Sequence, residues 1–105
     1  GDIKGGRGND TIILKKGFGE VAGGRGADTF VINAADSTFE ISDFGRGNDK
    51  LDLRNALDSS IATLTQLRAA ATETGDGLSI ELADGGTLNL DGAIKEDLTS
   101  DVVMI

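Results

Sequence analysis

Three aspartates, Asp10, Asp28 and Asp49, each close a glycine-rich turn, and they follow one another at intervals of eighteen and twenty-one residues. Carboxylates repeated in this way can hold a cation, work as an acid and a base, or cap turns. Acid–base catalysis needs a cleft and a partner group of tuned pKa. The chain has no histidine and no cysteine, so the commonest general base, the usual zinc ligands and thiol chemistry are all missing. Acidic pairs such as Asp49 and Asp52 therefore read as structural, and cation binding becomes the leading chemistry for the turn aspartates.

The elements that must position them are written in a short repeat. GGRGNDTII, residues 5–13, returns as GGRGADTFV, residues 23–31. Counting the intervening block in the same frame places an apolar residue at Ile3, Ile12, Val21 and Phe30, nine apart each time. A shorter copy, FGRGNDKLD at 44–52, continues the series after a three-residue insertion, placed at 33–38. Self-similarity at a short fixed period indicates stacked coils. The glycines permit a sharp turn that a Cβ would obstruct. The residues after each aspartate (Thr11 to Ile13, Thr29 to Val31, Lys50 and Leu51) are mostly β-branched or apolar and read as very short strands.

Each coil is then turn, strand, turn, strand, and stacked strands lie about 4.8 Å apart. That spacing sets Asp10 beside Asp28 and Asp28 beside Asp49, where bare carboxylates would repel. A hard divalent cation resolves the conflict. Calcium takes about 6 to 8 oxygen ligands, main-chain carbonyls included. Asp10 with Asp28, and Asp28 with Asp49, are the expected clamps for two ions. The carbonyls of Gly6, Arg7, Gly8, Gly24, Arg25, Gly26, Gly45 and Gly47 are the pool that completes the shells. On the opposite edge Gly19 stands where the turn aspartate would be, so no full site is expected there.

With these repeats and three later stretches, ISDFGRGNDKLDL (41–53), LSIELADGGTLNLDG (78–92) and DLTSDVVMI (97–105), the chain resembles the C-terminal part of RTX (repeats-in-toxin) proteins. Serralysin-type proteases, secreted lipases and the R-modules of alginate epimerases carry such segments. The resemblance implies an all-β fold, a parallel β-roll of nonapeptide repeats followed by a short helix and a capping β-hairpin or terminal strand. It implies Ca2+ as the ligand, a secreted, extracellular location and a type I secretion exporter as partner. By the same resemblance Asp36 and Asp43 help to hold a further ion, although either could equally cap a turn. Asp101, Val102, Val103, Met104 and Ile105 correspond to an uncleaved secretion signal; they could also close the hairpin sheet as a last strand.

Two regions are expected, a roll at 1–54 and a cap at 55–105. Residues 1–4 read as the tail of an earlier coil, and a chain beginning at Gly1 reads as a piece of a longer protein. Ile41 and Phe44 should point inward. Apolar residues three to four apart predict a helix over about 60–72, capped by Ser59 or Ser60. Alternation at 78–82 and 87–90 around 83–86 predicts a hairpin. Helix and hairpin together should cover the open end of the coil, whose edge could otherwise pair with another chain.

Apolar residues make up 38% of the chain and aromatics 4%, so bound metal is a natural supplement to a modest core. The net charge is −8, unevenly shared: residues 1–54 carry eight basic and nine acidic side chains, residues 55–105 two and nine. Two calcium ions would make the first half positive. Arginine stands third in all three turns (Arg7, Arg25, Arg46), either as solvated side chains or as an edge that binds an anionic polysaccharide once metal is present. An acidic chain without an aromatic platform does not suit nucleic acid. No apolar run approaches the about 20 residues of a membrane span, and a monomer is expected. Gly17, Gly19 and Ala22 fit a dinucleotide pattern only if a helix crosses Gly23, Gly24 and Gly26, which the glycines oppose. Phosphate-loop and EF-hand patterns are absent. The expected function is a segment that stays unfolded for export and folds on calcium outside.

Overall fold

The computed structural model describes residues 3–4, 8–16, 19–23, 26–42, 44 and 49–105, with residues 3–4 described by their backbone. Six short strands alternate between two sheets: β1 (Ile3–Lys4), β2 (Thr11–Leu14), β3 (Glu20–Ala22), β4 (Thr29–Ile32), β5 (Thr38–Ile41) and β6 (Lys50–Asp52). Odd strands pair with odd and even with even, always in parallel. The result is the predicted roll. Its register follows the repeat: Ile3 pairs with Val21, Ile12 with Phe30, and Phe30 with Leu51. Side chains alternate along a strand, so one face of β2, β4 and β5 enters the core: Ile12 and Leu14, Phe30 and Ile32, Phe39 and Ile41 are buried while their neighbours are not.

The insertion is divided. Val21 pairs with Ile41, twenty residues on, whereas Phe30 pairs with Leu51, twenty-one on. Two of the three extra residues thus enter between β4 and β5, as expected, and the third enters after β5. Ile41 and Phe44 are both buried, as their apolar character requires.

Beyond β6 the chain forms α1 (Leu64–Ala70), β7 (Thr72–Glu73), β8 (Gly77–Glu81), β9 (Thr87–Asp91), a 3-10 turn (Lys95–Asp97) and β10 (Val103–Met104). The helix is shorter than predicted and its cap is Thr63, not Ser59 or Ser60. Thr63 Oγ1 accepts the Gln66 N–H at 3.2 Å while Gln66 Oε1 accepts the Thr63 N–H at 3.1 Å, a reciprocal capping box. Ser60 is engaged elsewhere, donating its N–H to Asp58 Oδ1 at 2.9 Å. Leu67 anchors the helix in the core and Ala71 is buried just after it.

The hairpin forms as predicted from β8 and β9. Its role in the fold is larger than a cap, because β9 pairs in parallel with β5 and so extends the odd-strand sheet to the order β1-β3-β5-β9-β8-β7. The terminal strand corrects the expectation that it closes the hairpin sheet. β10 pairs in parallel with β6 and extends the other sheet to β10-β6-β4-β2. The open end of the coil is thus covered by β9 on one side and β10 on the other, with the helix packed through Leu67. Val21, Phe39, Leu88 and Ile80 from one sheet meet Phe30, Ile32, Leu51 and Val103 from the other in one apolar cluster. Each fully buried side chain of this size contributes about 1.5–3 kcal/mol.

Candidate metal centre

The turn aspartates stand at the N-terminal ends of β2, β4 and β6, on one edge of the roll. Gly8 and Gly26, the third turn glycines, have φ of 95° and 100°, a backbone state that side chains with a Cβ resist. They also stack closely, since a Cβ on Gly26 would run into the Gly8 carbonyl. These two constraints bring successive turns to near contact, and Asn9 Oδ1 accepts the Ala27 N–H at 2.9 Å across the same gap.

Within that stack the carboxylates form a ladder. Asp28 Oδ1 accepts the Asp10 N–H at 3.0 Å, and Asp49 Oδ1 accepts the Asp28 N–H at 2.9 Å. The main chain runs the same way, with Asp10 O accepting from Thr29 N–H at 2.8 Å and Asp28 O from Lys50 N–H at 2.7 Å. Asp28 is completely buried and Asp49 is 5% exposed. The second oxygens of Asp10 and Asp28 are buried and accept no hydrogen bond. A buried carboxylate oxygen without a donor is costly. Such an oxygen fits a cation ligand. Among the described residues no three acidic side chains are placed to hold a metal ion by themselves. The donor set here is instead one carboxylate per turn, with main-chain carbonyls to fill the shell, which suits calcium better than a metal that needs nitrogen or sulfur.

Asp10, Asp28 and Asp49 and the backbone of Gly8 and Gly26 are brought together as anticipated from sequence. Gly6, Arg7, Gly24, Arg25, Asp43, Gly45, Arg46 and Gly47 lie outside the described residues, and with them the arginine ladder. Asp36 stands after β4, on the edge opposite the aspartate ladder, where it meets Lys16 Nζ at 3.5 Å and accepts from Ser37 Oγ at 3.4 Å. Asp52, once set beside Asp49 as a carboxylate pair, is clamped by Arg54 through Nε at 3.0 Å and a second guanidinium nitrogen at 2.8 Å. Those hydrogen bonds hold its carboxyl below the usual carboxylate range. Of the terminal segment, Asp101 and Ile105 are exposed, Val102 and Met104 half-buried and Val103 buried.

Sequence reading missed two features. Asn9 bridges turns, a role hinted at by asparagine preceding the aspartate in two of three copies. A second acidic group lies on the outer face of the odd-strand sheet, where Glu20 is paired with Glu40 and Asp91 lies on the adjoining β9. Asp91 foremost, then burial and Glu20, raise the Glu40 carboxyl above its ordinary pKa. Only the strand register, not the repeat, brings these three together.

Among the described residues no helix is long and apolar enough to cross a membrane. Comparison with curated proteins gives no significant match. The family model described as Peptidase M10 serralysin C terminal matches residues 2–103. The roll, its aspartate-closed glycine turns and that match over nearly the whole chain agree, and the chain belongs to the serralysin C-terminal family, whose RTX-type domains are generally calcium-binding parts of secreted proteins.

Proposed function

We propose that this chain is a calcium-dependent folding module of a larger secreted protein and carries that protein's export address at Asp101 to Ile105. The observation that carries the reading is the buried, undonated second oxygen on both Asp10 and Asp28, one coil apart. Calcium bound at these turns would supply the positive charge that lets stacked carboxylates remain ionised out of water.

Asp10 and Asp28 hold one ion in this reading, and Asp28 and Asp49 a second. Where calcium is scarce, the carboxylates repel one another and the glycine-rich turns favour the disordered chain. An unfolded segment can then be threaded through a type I exporter. Outside the cell, binding energy available only to the folded form becomes folding energy. Burial of Val103 against the roll supports the same order of events, because a folded domain offers the exporter little of its terminal apolar residues.

Far-UV circular dichroism of the chain during a calcium titration tests the proposal, with magnesium and Asp28→Ala in parallel. A cooperative gain of β signal is expected with calcium alone and at much higher concentration in the variant. A chain already folded in excess chelator and unmoved by calcium would refute it.

A further inference from the structure

Gly23, the first glycine of the second repeat phrase, has no turn conformation to justify it. Gly23 is buried, and unlike Gly8 and Gly26 it does not have a positive φ. Backbone freedom therefore does not explain a glycine here. Its surroundings do. A Cβ placed on Gly23 would run into Asp28 Oδ2 and would press on the Asp28 carboxyl carbon and on Phe30 Cζ.

Neither neighbour can move aside cheaply. The Asp28 carboxylate is completely buried, and its other oxygen is held by the Asp10 N–H at 3.0 Å. Rotating it away from a new methyl group would break that bond. Phe30 is also fully buried, and its ring lies in contact with Phe44, centroids 6.3 Å apart.

The third phrase supplies a contrast within the same molecule. Phe44 stands five residues before Asp49, the place that Gly23 holds before Asp28. Its ring is buried in the core beside Phe30. Three steps separate Ile41 from Phe44, against two from Val21 to Gly23, although Val21 and Ile41 are register partners. The extra residue after β5 therefore precedes the turn. It accompanies a large inward side chain at a position where the preceding coil has no side chain at all.

We infer that Gly23 is the positioning residue for the Asp28 carboxylate: the space left by its missing side chain fixes Asp28 Oδ2 at the buried, undonated place it occupies, from which it would serve the ion. The inference rests on the calcium reading given above and adds to it a residue that acts by leaving room for the carboxylate. Glycine at this position is a steric requirement of the carboxylate, separate from the conformational requirement at Gly8 and Gly26.

The test is a double-mutant cycle of Gly23→Ala and Asp28→Ala, read as the calcium concentration at the midpoint of folding by circular dichroism. Gly23→Ala alone should raise the midpoint by about tenfold or more. In the Asp28→Ala background the same change should add less than about twofold. Equal shifts in both backgrounds would overturn the inference, since the methyl would then act through Phe30 or the backbone. Phe30→Leu, which withdraws the ring atom, serves as a second background in which the Gly23→Ala shift should persist.

A further readout is the luminescence lifetime of bound terbium in light and heavy water. Gly23→Ala should add about one coordinated water as the Asp28 oxygen leaves the ion, and an unchanged count in a protein that folds would count against the inference. If the unaltered chain proves indifferent to calcium, the functional reading fails by itself. The steric claim is then decided by urea unfolding of the same cycle in chelator, where additive effects of the two changes would overturn it.

Discussion

The backbone N–H of Asp28 donates to Asp49 Oδ1 at 2.9 Å while Asp28 Oδ1 accepts from the Asp10 N–H, so Asp28 both receives from the preceding coil and donates to the next. Charge and hydrogen-bond acceptance are separable in this arrangement. Asp49→Asn keeps an acceptor for the buried Asp28 N–H and removes a charge; it should fold at saturating calcium with a raised midpoint. Asp49→Ala removes both and should cost on the order of 1–3 kcal/mol more at saturating calcium, measured by urea unfolding.

Two carboxyl groups should give pH dependences of opposite sign. Asp52 is lowered in the fold, chiefly by its hydrogen bonds from Arg54, so its contribution is present above the unfolded carboxylate pKa and lost as pH falls through the folded value. Arg54→Gln should therefore destabilise at neutral pH and converge with the unaltered chain in acid. Glu40 is raised, chiefly by Asp91, so its contribution is full below the unfolded pKa and lost as pH rises through the folded value. Glu40→Gln should stabilise at neutral pH and lose that advantage in acid. Melting temperatures across the range at fixed calcium check both.

Thr63 closes a reciprocal cap with Gln66 on a helix of seven residues. Such a helix has little stability of its own. Thr63→Ala should cost about 1 kcal/mol, and Thr63→Ser should recover most of it. Neither change should alter the calcium midpoint beyond what that loss of stability predicts, because the cap lies away from the aspartate turns.

Leu51 N–H donates to Val102 O, and Leu53 N–H to Met104 O, each at 2.8 Å. Removal of residues 102–105 should leave both amides of this segment without acceptors. In calcium, hydrogen exchange at Leu51 and Leu53 should accelerate by about tenfold or more, while Phe30 and Ile32, one strand further in, change less. Val103→Asp, which buries a carboxylate against Leu51, should produce the same pattern.

Much of this was legible from residue spacing. Ile12, Phe30 and Leu51 had to share a face, because a slip of one residue along a strand would turn each of them toward water. The aspartates followed from the same count. Pairing of β10 with β6 was not legible, since nothing local in Val103 and Met104 distinguishes one open edge from another. Thr63 was passed over for nearby serines because the Gln66 half of its capping box went unread. Gly23 shows a different limit. Its identity was plain, but its reason lies in the Asp28 oxygen, and the repeat alone cannot separate a glycine needed for φ from one needed for room.

Sequence distance divides the contacts of this fold into two kinds. Coils of the repeat close over eighteen to twenty-one residues, whereas Phe39 waits forty-nine residues for Leu88 and Leu51 fifty-two for Val103. Closing the longer loops costs about 0.9 kcal/mol more in chain entropy each. The repeat is therefore a quick zipper and the two outer strands a slow clasp. Since the clasp is also what covers the edges of β5 and β6, the interval before it shuts is when those edges are open to a neighbouring chain. Rapid dilution at low protein concentration is the condition under which this domain should refold cleanly.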